Sequence, residues 1–546
     1  MSRLREEQQD PMPAPQAPRH ARASRSPLTG VGAMLVLAAR RDRIRLSVWV
    51  GVLTFMLLYT PFALKLAYPT AAERASRVEL MKTPAGIMLA GPMFGKNETD
   101  LGVMIANELT LSLMVAASIM AILTVIRHTR AEEESGAAEL VMSSVVARPA
   151  RTVAALALVG IVNAVLFVTL TLATAASGLD VLDSAAMALG ITGVSMVFGA
   201  VAAVSAQLWR QARTASGAAM AALATAVVVR GVGDVVNHSG SALSWLSPIA
   251  WAQQMRPFVE LRWWPLGLLA LAATVCISAA FALEGRRQYD AGTLRSRGDR
   301  RNAPRVRGVL GLHLTLQRGQ LISWAIALFL SGLTFGSMAT ALKDAARSNE
   351  LLARVMATQG VNGTYTVMTQ FLAAATSAFV VAGVLRLAAD EQSGLAELVL
   401  AGSVSRPRWL VSAVLATLGG TAVLLGCAGL GNGLGTALAT KEFRNIALLT
   451  GAGLAHLPAM AVMAGFAAVA VAVRRSWIGW TAVTFVVASL YLGALLRLPQ
   501  WLLDASPVLR TTTPSRFPAL TLAVLTVLAV VLSAGAAVIY RRRDAV

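Results

Sequence analysis

Charged residues are scarce in this chain: Asp, Glu, Lys and Arg make up 14% of its 546 residues, whereas 56% are hydrophobic. So few charged side chains cannot cover the surface of a water-soluble protein of this length. The two cysteines, Cys276 and Cys427, both fall in apolar runs, so the sequence predicts neither a disulfide framework nor a cysteine metal site. We therefore expect a chain that is largely surrounded by lipid.

The sequence also lacks the ATP-binding motif G-x-x-x-x-G-K-[ST]. The nearest stretch, Gly91 to Asn97, has one spacer residue too few and ends in Asn. The five histidines are far apart along the chain, which argues against a catalytic cluster such as that of a lipid-modifying transferase. We therefore predict no catalytic residues, no metal and no cofactor in this chain, and classify it as a non-enzyme.

Ionisable residues are rare within the apolar runs. Glu108 lies near one end of its run, and His456 is a lone histidine that we interpret as a packing residue. Arg230 and Asp234 are four residues apart, the spacing at which oppositely charged side chains meet on a helix, so they are predicted to pair. A proton-driven antiporter needs ionisable groups at bilayer depth, and the runs offer no convincing coupling carboxylate.

Long apolar segments are abundant. A membrane span needs ~20 mostly apolar residues, and because backbone groups in lipid must be paired within their own segment, each span is predicted to be a helix. The sequence thus predicts an all-α integral membrane protein with about 12 transmembrane helices. The predicted spans are 46–66, 103–126, 152–176, 185–208, 214–236, 264–283, 321–341, 366–385, 410–435, 446–472, 477–496 and 518–540.

The basic residues are distributed unevenly between the segments that connect these spans. If the N-terminus is cytosolic, 32 of the 48 Lys and Arg residues lie on the cytosolic side. This asymmetry is the positive-inside rule, and it predicts that both termini face the cytosol. The net charge of +20 is therefore explained by topology, and no nucleic-acid partner is expected.

The chain is predicted to contain two parallel six-helix repeats. Arg43 and Trp49 at the first span match Arg318 and Trp324 at the seventh, at an offset of 275. Parallel repeats of this kind are common in membrane transporters. The predicted units are a disordered cytosolic tail at 1–30, a first half at 31–283, a basic cytosolic linker at 284–308 and a second half at 309–546.

Shorter helices are predicted outside the spans. Residues 31–45 and 309–320 mix apolar residues with arginines, which indicates amphipathic helices lying along the inner interface; the alternative is that each merely extends the following span. The outer loops 67–101 and 342–365 are long enough to hold short helices that cap the bundle.

A polar segment occurs twice, at 134–149 and at 392–407, each time between the second and third spans of a half. Acidic residues precede each copy, which favours a helix N-terminus, and an apolar edge and a closing arginine follow. Such a helix is suited to a groove on a partner; the alternative is a charged loop that only satisfies topology. The identical pairs are Ser135/Ser393, Gly136/Gly394, Ala138/Ala396, Glu139/Glu397, Leu140/Leu398, Val141/Val399, Val146/Val404, Arg148/Arg406 and Pro149/Pro407.

The six-helix unit and its Glu-x-x-x-Gly-x-x-Glu-Leu element resemble the permease subunit of ABC-2 type (type V) exporters. Twelve spans in one chain, with Leu246-Ser-Pro-Ile-Ala-Trp-Ala-Gln-Gln-Met-Arg-Pro257 and Arg262-Trp-Trp-Pro265, are similar to the polyketide-antibiotic exporter branch of actinobacteria, the tetronasin-resistance type. The second half lacks a full counterpart of the Trp-Ala-Gln-Gln stretch. The sequence therefore leaves open whether the two halves are functionally equivalent.

The resemblance implies a permease of the bacterial plasma membrane that exports hydrophobic antibiotics, drugs or lipids. Two copies of a separately encoded ABC ATPase, carrying the ATP and Mg²⁺, would bind one coupling helix in each half. A proton-coupled twelve-helix multidrug antiporter is the alternative. The positions that the resemblance assigns to the coupling helices are Glu133, Gly136, Glu139, Leu140 and Arg148 in the first half, and Glu391, Gly394, Glu397, Leu398 and Arg406 in the second.

Overall fold

A computed structural model describes most of the chain, and every regular element in the described part is a helix. The described residues are 29–95, 99–136, 147, 149–237, 240–286, 308–340, 363–392, 394–493, 498–511 and 519–542.

The described residues before the linker form ten helices. They are α1 (Val31–Ala67), α2 (Ala71–Lys82), α3 (Pro84–Ala90), α4 (Leu101–His128), α5 (Arg130–Glu134), α6 (Ala150–Ala175), α7 (Val181–Leu208), α8 (Ala212–Val236), α9 (Pro248–Gln253) and α10 (Trp264–Arg286). A single 3₁₀ turn, Ser244–Leu246, precedes α9.

The described residues after the linker form ten further helices. They are α11 (Gly308–Ser337), α12 (Gly363–Gln392), α13 (Leu395–Leu400), α14 (Arg406–Thr440), α15 (Arg444–Leu454), α16 (Leu457–Ala472), α17 (Trp477–Leu492), α18 (Gln500–Leu503), α19 (Pro507–Arg510) and α20 (Ala519–Arg541). The Ser-Pro pairs of both halves each begin a short helix, α9 and α19, with proline at the first position, where its missing N–H is tolerated.

The described residues contain eleven helices, or helix pairs, that are long and apolar enough to cross a membrane. They coincide with eleven of the twelve predicted spans and confirm an all-α membrane protein. The exception is the predicted span 477–496, where α17 has 16 residues and is too short to be counted among them. Residues 494–497 lie outside the described part.

The separate amphipathic helices predicted at 31–45 and 309–320 are not present as independent elements. Residues 31–67 form one continuous helix of 37 residues, and α11 is likewise unbroken over 30 residues. No glycine pair or proline interrupts the junction between the arginine-rich stretch and the apolar stretch, so the helix continues through it. The structure therefore corrects this prediction in favour of the alternative, helix extension.

Short helices are present in the first of the predicted outer loops: α2 and α3 fill most of the segment between α1 and α4. The second predicted outer segment, 342–365, lies almost wholly outside the described residues.

Two cores support the bundle, one in each half. In the first, α4 and α7 are the most buried spans, and side chains such as Leu113, Met114 and Ile191 are completely covered. In the second, α12, α14 and α16 contribute the buried side chains, including Val381, Met460 and Ala467. The outermost helices, α1, α10, α11 and α20, leave most of their surface uncovered, as expected of helices that face lipid.

The described residues of both copies of the repeated segment lie at one end of the bundle, which we call the motif end. At the far end of the bundle, Leu80 of the first half lies in one buried cluster with Met338 and Tyr365 of the second, so the two halves are aligned and their motif ends face the same way. The first turn of α1 and the last turn of α20 also reach the motif end, through the Thr29 carbonyl that accepts from Ala147 N–H at 2.9 Å and through Tyr540, which bonds Glu391. The other end is called the opposite end.

Candidate coupling site at the motif end

The two repeat glycines adopt the same conformation. Gly136 and Gly394 both have φ of 75°, in the left-handed region that glycine enters without steric strain. Each donates its N–H to the carbonyl three residues earlier, Glu133 and Glu391, and both distances are 3.1 Å. The long helix of each half therefore ends in the same tight turn, a common way to close a helix C-terminus.

The second-half turn leads directly into α13, a short helix on the surface. Gly394 is its N-cap, and Glu397 is exposed. Leu395 and Leu398 are 56% and 76% exposed, and their spacing of three residues places them side by side on one face of the helix. The helix thus presents an exposed carboxylate and two uncovered leucines, while Ala396 is buried against the bundle.

The corresponding part of the first half lies beyond the described residues. Glu139, Leu140 and Arg148 are among those that the structure does not describe, so their predicted role stays a prediction. Gly136 and Glu133 are described.

Glu133 is buried, not exposed as a docking residue would be. Its carboxylate pairs with Arg130 and accepts a hydrogen bond from Arg151 at 2.6 Å. All three side chains are at least 93% covered, and Arg130 Nε also donates to the Trp209 carbonyl at 2.7 Å. Glu133 therefore joins α5 to the start of α6 and, through Arg130, to the end of α7.

The neighbouring acidic residues also bond within the protein. Glu134 accepts the Ala212 N–H at 2.9 Å, which fixes the first turn of α8. Glu132 approaches His128 at 3.3 Å, and the other ring nitrogen of His128 lies 2.9 Å from buried Asp42 of α1. The acidic run thus ties the motif end of α4 to α1 and α8.

The second half has fewer buried charges at the equivalent place. Tyr540 of α20 donates to Glu391, and Arg386 donates to the Leu316 carbonyl at 2.9 Å. Arg406 is half-buried and is the first residue of α14. It begins the next span, with proline following at the second helical position.

The structure corrects the predicted placement of the acidic residues. In the second half they do not open the helix after the turn, because Glu391 is the penultimate residue of α12. In the first half, Glu132 and Glu133 lie in the first turn of the five-residue helix α5, which ends at Glu134 just before the turn. Acidic residues are disfavoured at a helix C-terminus, and here the arginines and Tyr540 compensate. The sequence signal for Arg130 was its i, i+3 spacing from Glu133, whereas no local signal pointed to Arg151, Asp42 or Tyr540.

Comparison with known proteins assigns the chain to a family. Residues 306–541 match the family described as "Multidrug efflux system permease Rv1217c, C-terminal domain". The multidrug efflux system permease protein Rv1217c of Mycobacterium tuberculosis (strain ATCC 25618 / H37Rv) is 33% identical over 497 residues, covering 88% of this chain and 89% of the relative. With this identity over nearly the whole length of both proteins, the chain belongs to the family of the multidrug efflux permease Rv1217c.

Proposed function

We propose that this protein is the membrane-spanning permease subunit of an ATP-driven exporter, and that two copies of a separately encoded ABC ATPase bind its motif end. The observation that carries the proposal is the pair of identical glycine turns, of which the second leads into α13. A two-fold repeated element suits a partner that is present in two copies. The exposed leucines of α13 suit an apolar cleft.

The exposed carboxylate of α13 supplies the directional part of this interaction. Glu397 lies between Leu395 and Leu398 and can accept charge-assisted hydrogen bonds from basic groups of the ATPase. Glu139 and Leu140 are the matching positions in the first half, by sequence. Because the leucines bind an apolar surface and the glutamate fixes the register, both kinds of residue are needed for specific docking.

The buried ion pairs provide the mechanical connection. A force on the first-half turn acts on Glu133, which is bonded to Arg130 and Arg151 and therefore to three helices. Closely packed helices move as rigid bodies between discrete arrangements. ATP-driven closure of the partner would thus shift α4, α6 and α7 together, with ATP and Mg²⁺ bound by the partner and not by this chain.

The proposed cargo is a hydrophobic antibiotic, a drug or a lipid, moved out of the cell. The printed name of the relative, a multidrug efflux system permease, supports drugs and the outward direction. The spans are rich in apolar side chains, which suits a lipophilic cargo. We place the protein in the bacterial plasma membrane with both termini, and hence the motif end, in the cytosol.

The test is co-purification with the ABC ATPase encoded beside the gene. We expect the wild-type complex to elute with two ATPases per chain, and the double variant Glu139→Arg with Glu397→Arg to elute without them. Glu442→Arg, an exposed glutamate at the opposite end, is the matched control and should retain both. Equal binding by all three chains would reject the docking role, and drug efflux without the ATPase would favour the proton-coupled antiporter.

A further inference from the structure

The segment 71–90, which we call the strap, is a preformed helical hairpin at the opposite end. Thr70 and Glu73 form a reciprocal capping box at the start of α2. Thr83 ends α2 and begins α3, with its hydroxyl accepting the Gly86 N–H at 3.1 Å. A side chain at Gly86 would come within 2.6 Å of the Leu80 carbonyl, so the corner between the two helices is tight and the strap is rigid.

Polar side chains of the first half hold the C-terminal end of the strap. Arg230 of α8, which has no exposed surface, donates to the carbonyls of Ile87 at 3.1 Å and Met88 at 2.6 Å. These carbonyls belong to the last turn of α3, where intrahelical donors are missing and a cation is favoured. Asp234 lies 3.4 Å from the same guanidinium, which confirms the predicted pair.

Two amide side chains extend this attachment along the chain. Gln253 Nε2 of α9 donates to the Ala90 carbonyl at 3.1 Å, and Asn107 Nδ2 of α4 donates to the Gly91 carbonyl at 3.0 Å. At the start of the strap, buried Arg77 pairs with Glu108 of α4. The strap is therefore fixed to α4, α8 and α9 of the first half by a series of polar bonds.

In the described part of the chain, the strap also packs against the second half through apolar side chains. Leu80 of the strap forms a buried apolar cluster with the ends of α11 and α12 and with α15. Such contacts are non-directional, so they tolerate sliding and separation better than hydrogen bonds of fixed geometry. The second-half members of the cluster are Met338, Ala339, Tyr365, Met368 and Leu449.

The sequence of the second half has no arginine at the position equivalent to Arg230. The Ser-Pro pairs at 247 and 506 align the halves at an offset of 259, which places Ser489 at the position of Arg230 and Gly493 at that of Asp234. The first outer loop is also 17 residues longer than the second when the two repeat offsets, 275 and 258, are compared. The arginine at this position and the added length of chain occur together, and only in the first half.

From this arrangement we infer that the strap is an outer gate which moves as part of the first half and closes the opposite end by resting on the second half, and that Arg230 is the residue that positions it. This inference rests on the proposed transport function, since a gate requires a path between the halves. Parting of the halves breaks the apolar contact of Leu80 and leaves the bonds of Arg230 intact.

The experiment measures two distances by double electron–electron resonance in nanodiscs. Spin labels are placed on Glu79 of the strap, on Leu182 of the first half and on Phe443 of the second, all exposed at the opposite end, after Cys276 and Cys427 are replaced by serine. We expect one narrow Glu79–Leu182 distance under all conditions, and a broader Glu79–Phe443 distribution that gains a longer distance with the ATPase, ATP and vanadate.

A single narrow Glu79–Phe443 distance under every condition, or a change in the Glu79–Leu182 distance instead, would overturn the inference. If the ATPase does not bind in the co-purification experiment, the proposed function is rejected. The two distance distributions, measured on this chain without the ATPase, still decide whether the strap is fixed to one half or to both.

The role of Arg230 is tested in the same labelled chain. Arg230→Met removes both carbonyl bonds and should broaden the Glu79–Leu182 distribution. Asp234→Asn keeps those bonds and should leave it narrow. Gln253→Leu removes just the Ala90 bond and gives a smaller broadening, which keeps the test decisive if Arg230→Met does not fold. The positioning role would be rejected if the Glu79–Leu182 distribution stayed narrow in Gln253→Leu and either stayed narrow in Arg230→Met as well or could not be measured because Arg230→Met did not fold.

Discussion

The two halves share a topology, but their equivalent helix pairs are held together differently. In the second half, α11 and α14 pack through glycines: a side chain at Gly431 would meet the Phe329 carbonyl at 2.1 Å, and one at Gly336 would meet the Asn432 carbonyl at 2.2 Å. In the first half, the residue equivalent to Gly336 at the repeat offset of 275 is Pro61. There α1 and α6 pack through larger side chains.

The contact between α1 and α6 illustrates this difference. Completely buried Leu57 and Leu166 lie in the first-half core, and the hydroxyl of Thr54 donates to that of Thr169 at 2.8 Å. Small residues let helix backbones approach closely in lipid, where no hydrophobic effect drives association. The second half therefore adds close backbone approach to its own polar bond, from Gln317 Nε2 to the Thr417 hydroxyl at 3.1 Å, whereas the first half combines a polar bond with larger packed side chains.

The motif end shows the same contrast in its charges. The first half buries Glu133 between two arginines, whereas the equivalent Glu391 is half-buried and accepts a bond from a tyrosine. A duplicated motif can thus keep its glycine turn while its surroundings change. What the halves share is the geometry of the turn, and this is the part that we assign to the partner.

The largest effect is expected where charges are buried. Glu133→Ala leaves two covered arginines without their carboxylate and should lower the free energy of unfolding by about 3–5 kcal/mol. Glu391→Ala removes a half-buried acceptor and should lower it by only about 1 kcal/mol. Reversible unfolding of each variant in mixed SDS micelles measures the difference. Equal losses would remove the proposed distinction between the two motif ends.

The next effect concerns the glycine contact of the second half. Gly431→Ala forces α11 and α14 apart and should cost about 1–3 kcal/mol. Gly419→Ala, in the same helix but with nothing within 4 Å of an added side chain, is the matched control and should stabilise by up to about 1 kcal/mol. The same unfolding assay applies, and equal behaviour of the two variants would contradict backbone packing.

The smallest effect is expected from the polar contact of the first half. Thr54→Val removes its bond to Thr169 and should lower the free energy of unfolding by about 0.6 kcal/mol, an average value for hydrogen bonds between membrane helices. Thr60→Val, whose hydroxyl bonds only within its own helix at Met56, serves as the control. A loss as large as that of Gly431→Ala would mean that one polar contact, and not side-chain packing, holds α1 to α6.

Apolar length and charge distribution were sufficient to predict eleven of the spans, because lipid requires a long run of mostly apolar side chains in every helix that crosses it. The pair of Arg230 and Asp234 was predictable for a similar reason, since both lie one turn apart on a single helix. The bonds of Arg230 to the strap were not predictable, because its acceptors are backbone carbonyls more than 140 positions away in the sequence.

The candidate site was predictable only in part. The repeat identified both glycines, but three consecutive glutamates give no indication of which one turns inward. That choice depends on the rotation of α4 and on Arg151, which follows the undescribed stretch 137–146. Sequence patterns specify which residues share a helix face, whereas the partner of a buried charge is set by the packing of helices that are distant in sequence.

If the two equivalent turns bind two ATPases, as we propose, the stoichiometry of the complex depends on each turn separately. Native mass spectrometry of the complex in detergent, prepared with wild-type chain and with Glu397→Arg, measures that stoichiometry. We expect two ATPases on the wild-type chain and one on the variant, since the first-half site remains intact. A wild-type chain that carries no ATPase, or a variant that still carries two, would contradict the proposal.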